Sequence, residues 1–170
     1  WTYLEMDAPR AESPKPPVGA PQRFRRVGFL ETSGFESWNE VSRIMAPLYA
    51  RAATIAPDSD LRAEIAAIAA RTSDPKERAF AALRLVEDKT RYFFVGIGDG
   101  GYVPAPADLT WSRKFGDCKS KTVLLLAILK ELGVPAEPAL VSLGGGDGMN
   151  ERLPSLAAFN HVIVRSRIDG

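Results

Sequence analysis

Cysteine and histidine are almost missing from this chain: its 170 residues contain one of each, Cys118 and His161. A lone cysteine excludes an internal disulfide, and one cysteine with one histidine falls short of an ordinary four-ligand zinc site. No structural metal and no cofactor is therefore expected. An excess of charge is missing too. With Lys+Arg 22 against Asp+Glu 21, the formal net charge is +1, too small a field to draw in nucleic acid or an anionic membrane. Long hydrophobic runs are absent as well. The longest stretches, such as residues 123–129, fall well below the roughly 20 needed to cross a bilayer, and no signal peptide opens the chain. What remains is 45% hydrophobic and 25% charged, the composition of a soluble globular domain whose length suits one compact core.

Residues 8–21 hold Pro9, Pro14, Pro16, Pro17 and Pro21 with Gly19, a mixture expected of an extended arm. Residues 1–22 are thus read as a linker from an upstream domain, and residues 23–170 as the folded part. The basic run Arg23-Phe24-Arg25-Arg26 is read as a solvated edge. From Ser37, Trp38, Val41, Ile44, Met45, Leu48 and Ile55 fall at helical spacings up to Pro57. Asp58 or Ser59 is expected to cap a second helix through Leu61, Ile65 and Ile68. Asp74 as N-cap and Pro75 at the first position open a third, continuing through Phe80, Leu83 and Val86 to about Thr90. The Trp and Phe positions on these helices read as core. A short strand is expected at residues 92–95, followed by a glycine-broken loop running to Gly116 that lacks the Gly-Lys-Ser/Thr of a phosphate cradle.

The chemistry concentrates in Gly116-Asp117-Cys118-Lys119-Ser120-Lys121 and the run after it. Leu124, Leu125, Ile128, Leu129 and Leu132 are apolar almost all round, which predicts a buried central helix stopped by Gly133 and Pro135. Cys118 then occupies its first turn. Unpaired N–H groups and the positive end of the helix dipole favour a thiolate there, with Lys119 or Lys121 as possible helpers. Cysteines so placed have pKa values of about 3.5 to 7.5 rather than about 8.5, and the same N–H groups suit an oxyanion. A free cysteine is otherwise commonly a small buried hydrophobe, so the reading needs a partner. Residues 138–143 read as a strand, residues 144–159 as a loop, and residues 161–168 as a second strand that begins on His161. A helix-start cysteine with a downstream strand histidine is the thiolate–imidazolium pattern of papain-like catalysis.

Gly116-Asp117-Cys118-Lys119 leading an apolar helix, Gly133-Val134-Pro135-Ala136, and Phe159-Asn160-His161-Val162 resemble the core of the transglutaminase-like superfamily over residues 92–170. The likeness is nearest its bacterial branch, in which that core follows an N-terminal domain of unknown function. The resemblance implies an α+β, papain-like fold: a helical N-terminal part, and a cysteine-bearing central helix packed on a small antiparallel sheet. It also implies Cys118 as nucleophile, His161 as base, an orienting aspartate on the next strand, a protein or peptide amide as substrate, and residence in the periplasm or envelope. Ser120 departs from the acidic residue common there. Asp169-Gly170 reads as a hairpin turn, which would put the residue opposite His161 at about position 178, so the last strands and the aspartate are expected beyond Gly170. By loop position Trp111 or Tyr102 is read as a candidate second oxyanion donor, with packing in the core as the alternative for Trp111. A non-catalytic scaffold domain of a larger envelope protein is the alternative.

Overall fold

The helix that starts on Cys118 is the axis of the fold. The computed structural model describes residues 15–24, 31–94, 101–144 and 146–168. Its elements are α1 (Trp38–Ala52), α2 (Leu61–Arg71), α3 (Pro75–Lys89), β1 (Arg91–Tyr92), α4 (Ala107–Arg113), β2 (Phe115–Gly116), α5 (Cys118–Glu131), β3 (Ala136–Val141) and β4 (His161–Ser166). The architecture is mixed α+β. Val123, Leu124, Leu126, Ala127, Ile128 and Leu129 of α5 are all buried. A helix apolar on every side must be enclosed, and α3, α4, β3 and β4 pack around it. It ends as expected: Gly133 takes φ +72°, its N–H donates to Lys130 O (3.1 Å), and the Val134 N–H donates to Leu129 O (2.9 Å). This pair of bonds closes the last turn and buries Val134.

Helix α1 opens on Ser37, whose Oγ accepts the Glu40 N–H at 3.2 Å while the Glu40 carboxylate accepts the Glu36 N–H at 2.7 Å. Its buried residues Val41, Met45, Tyr49 and Ala52 lie four, four and three apart, which is one helix face. The helix stops at Ala52, before Pro57, and Ile55 reaches the core from the connection that follows. In helix α2 Asp60 occupies the N-cap position without a side-chain capping bond, and Ser59, one of the two expected caps, accepts the Leu61 N–H through Oγ at 3.3 Å. Helix α3 begins as the sequence indicates, with Asp74 Oδ1 accepting the N–H groups of Lys76 and Glu77. Its inward face differs, however. Ala82 and Val86 are buried, whereas Phe80 and Leu83 are 57% and 38% exposed, because the small alanine side lets α3 approach α5 closely.

The expected loop up to Gly116 contains α4 and β2. Ala107, Thr110 and Trp111 of α4 are buried at i, i+3 and i+4, and β2 pairs in parallel with β1, Arg91 opposite Phe115 and Tyr92 opposite Gly116. Strand β1 comprises two residues rather than four; residue 95 of the expected strand lies outside the described residues. Strands β3 and β4 run antiparallel from Ala136↔Ser166 to Val141↔His161, so β3 starts and ends two residues before the expected span and β4 ends two before it. Arg23 of the basic run is paired with Asp147, its backbone N–H donating to Oδ2 at 3.0 Å. The anticipated turn at Asp169-Gly170 lies outside the described residues.

Candidate functional site

Each residue of the Gly-Asp-Cys-Lys segment has a structural task at the start of α5. Asp117, extended and 1% exposed, caps the helix: its Oδ1 accepts the Ser120 N–H (3.0 Å) and the Ser120 hydroxyl (2.9 Å), and its Oδ2 pairs with Lys119 Nζ. Burial pulls the Asp117 carboxyl up, but hydrogen bonds from Lys119 and Ser120 and the Lys119 charge outweigh it and hold the group below the ordinary carboxylate range. Gly116 is required for space. A Cβ on it would stand 2.7 Å from Ser120 Cβ and 3.1 Å from Thr110 Cγ2. With the Ser120 N–H taken by the cap and the Lys121 N–H bonded to Asp117 O at 2.9 Å, the N–H groups of Cys118 and Lys119 are the remaining helix-start donors without an intrahelical partner.

Cys118 is half-buried at the first position of α5. His161, also half-buried, is the first residue of β4. The two are brought together because α5 packs on β4: Thr122, one turn after Cys118, donates through Oγ1 to Val162 O at 3.4 Å, and Val162 points into the core. Asn160 fixes the entry to the strand. Its Oδ1 accepts the Leu143 N–H at 2.8 Å, its Nδ2 donates to Leu143 O at 3.4 Å, and its own N–H donates to Val141 O at 3.2 Å. Cys118 and His161 consequently line one cavity of about 420 Å³, together with Tyr49, Tyr102, Leu140 and Phe159. No carboxylate is among the described residues that line it.

Several sequence expectations change on this geometry. The two lysines proposed to assist a thiolate are committed elsewhere, Lys119 to Asp117 and Lys121 to Thr90 O at 2.9 Å. Trp111 is 7% exposed in the core, with Lys114 Nζ 3.0 Å from its ring centroid, and it does not line the cavity; Tyr102 does. Two further tyrosines were missed. The phenol of Tyr92, in β1, is raised above its usual value by burial and by electrostatic interaction with Cys118 and Asp117, against opposing effects of Lys119 and a hydrogen bond with the Cys118 backbone. That of Tyr49, in α1, is raised by burial first and then by electrostatic interaction with the same two residues. Tyr49 follows Met45 by four positions on a buried stripe, and so gave no local signal beyond core. Among the described residues, no group of three His, Cys, Asp or Glu could hold a metal, and no helix is long and apolar enough to cross a membrane.

The class that fold and site define is a mixed α+β domain with a cysteine and a histidine sharing a cavity. No protein-family model and no curated protein matches the chain. It is similar in structure to a "putative protease" from Parabacteroides distasonis, with a TM-score of 0.57 and 18% identity over 80% of this chain. The match spans 26% of that protein, and at this identity it shows a shared fold.

Proposed function

We propose that the domain performs cysteine-dependent acyl transfer on amide bonds, with Cys118 as nucleophile and His161 as its acid–base partner. The observation that carries this reading is that the first residue of α5 and the first residue of β4, the sole cysteine and histidine, line one cavity. The protease description of the structural neighbour supports the same chemistry, as does the resemblance of the surrounding segments to the transglutaminase-like core.

The Cys118 thiolate attacks the amide carbonyl carbon; a C–S bond forms and the C=O π pair moves onto oxygen, beside the Cys118 N–H. Collapse of this intermediate breaks the C–N bond, and the amine leaves with the proton carried by the His161 imidazolium. The thioester then passes to water, which gives a carboxylic acid and hydrolysis, or to a primary amine, which gives a new amide. In either case His161 takes the proton of the incoming nucleophile as the thiolate is expelled. An orienting aspartate for His161 and a periplasmic setting belong to this proposal by resemblance alone.

The direct test is iodoacetamide labelling of Cys118 across pH in the wild type and in His161→Ala. Fast labelling near neutral pH that slows on loss of the imidazole supports the pair, and equal slow rates would refute it. Incubating the full-length protein with a glutamine-containing peptide and a primary amine then separates cleavage from amine incorporation.

A further inference from the structure

A second cavity, of about 570 Å³, lies between α1 and β3 and adjoins the one that holds Cys118 and His161. Met45, Tyr49, Leu140 and Phe159 line both. This shared wall borders His161: Leu140 precedes Val141, which pairs with His161, and Phe159 precedes His161 by two residues. Further from the catalytic pair, Trp38 and Val41 extend the Met45–Tyr49 stripe of α1 along the second cavity. The Trp38 ring meets Phe159 edge to face, with centroids 5.6 Å apart at 72°. Among the described residues, the charged ones that line this cavity are Glu137 and Arg165, and they are paired with each other, Nε to Oε1 at 2.8 Å.

Aromatic and aliphatic walls with no unmatched charge suit an uncharged apolar group. A carboxylate or ammonium entering there would lose its hydration with nothing to offset the loss. We propose that the second cavity is the specificity subsite of the domain, seating a large apolar side chain, such as that of phenylalanine or leucine, on the acyl side of the amide attacked by Cys118. This rests on the acyl-transfer reading of the site and adds a substrate class to it. Continuity between the cavities favours the substrate itself over a separate ligand, because a residue whose side chain fills the second can present its carbonyl in the first. The thioester favours the acyl side. Its acyl group stays bonded to Cys118 while the amine departs, so a side chain seated here is held through both halves of the reaction. Preference then grows with the apolar area that the side chain buries.

Peptidyl chloromethyl ketones read the subsite, since the Cys118 thiolate displaces chloride from the CH2 carbon while the residue before the ketone occupies the acyl side. In the full-length protein, N-acetylphenylalanine chloromethyl ketone should alkylate Cys118 about 10²-fold faster than the N-acetylalanine compound. Ala46→Trp and Ser42→Trp each bring a ring to the second cavity from α1; both positions are exposed and lie outside the catalytic cavity. At least one should lower the ratio to about tenfold or less, with iodoacetamide labelling and melting midpoint as in the wild type. A wild-type ratio near one, as for a cavity filled by the protein itself, or a ratio unchanged in both variants overturns the proposal. A measurement free of these variants and of the thiol uses Cys118→Ala with N-acetylphenylalanine amide and N-acetylalanine amide, followed by NMR. The first should bind at least about tenfold tighter, shifting the Trp38 indole N–H and leaving that of Trp111 in place. Equal affinity, or no binding of either, overturns the subsite even where Cys118 labels fast with iodoacetamide. Slow labelling indifferent to His161→Ala, with tighter binding of the phenylalanine amide, instead sinks the nucleophile and leaves the apolar binding site.

Discussion

The Asp117 carboxylate and the Lys119 ammonium form a buried ion pair on either side of Cys118 in the chain, and the same carboxylate caps α5. This arrangement makes the start of the helix sensitive to acid. The folded-state pKa of Asp117 is depressed, so its contribution to stability is fully present above the unfolded value of about 3.9 and disappears as pH falls through the folded value. Urea denaturation of wild type and Asp117→Asn at pH 7, 5, 4 and 3 should show a difference that is constant at the upper two and shrinks below about pH 4. Asp117→Ala at pH 7 should cost roughly 3–5 kcal/mol, because it leaves Lys119 buried without a counter-charge.

Gly116→Ala should destabilise the domain by about 1–3 kcal/mol. The new Cβ would sit 2.7 Å from Ser120 Cβ, which belongs to the first turn of a packed helix and cannot swing away. Adding Ser120→Gly should restore part of the loss in thermal melts, since it removes the atom in collision.

Asn160→Ala removes two side-chain bonds to the Leu143 backbone, each contributing about 1 kcal/mol. Its larger expected effect is on the site. With the entry to β4 loosened, His161 should lose its place in the cavity it shares with Cys118, and the acceleration of iodoacetamide labelling that depends on His161 should fall while the fold persists by circular dichroism.

On α3, Phe80→Ser should change stability by less than about 0.5 kcal/mol, as for an exposed surface position. Val86→Ala, 3% exposed, should cost about 2 kcal/mol through lost burial and a residual cavity. Comparing the two in urea separates the observed inward face from the one that the large side chains alone indicate.

Helix starts and stops were legible where the chemistry is local. Ser37, Asp74 and Gly133 act through backbone groups within a few residues of themselves, and each ends or begins a helix where its type requires. The face of α3 was not legible, because Phe80, Leu83 and Val86 follow at three-residue steps that drift around the helix, while the face that packs is set by Ala82 and Val86, four apart. Helix α4 had a signal in the spacing of Ala107, Thr110 and Trp111, obscured by the flanking glycines and prolines.

For the site, sequence alone singled out Cys118 at a helix start and His161 at a strand start, since one cysteine and one histidine in 170 residues leave no other candidates for that pair. Tertiary structure decided that they share a cavity, that Lys119 and Lys121 are spoken for, and that Tyr49 opens on the same space. The reason is physical. Capping and helix termination are set by neighbours along the backbone, whereas a cavity is enclosed by side chains from α1, α5, β3 and β4, whose meeting depends on packing across more than a hundred residues of chain.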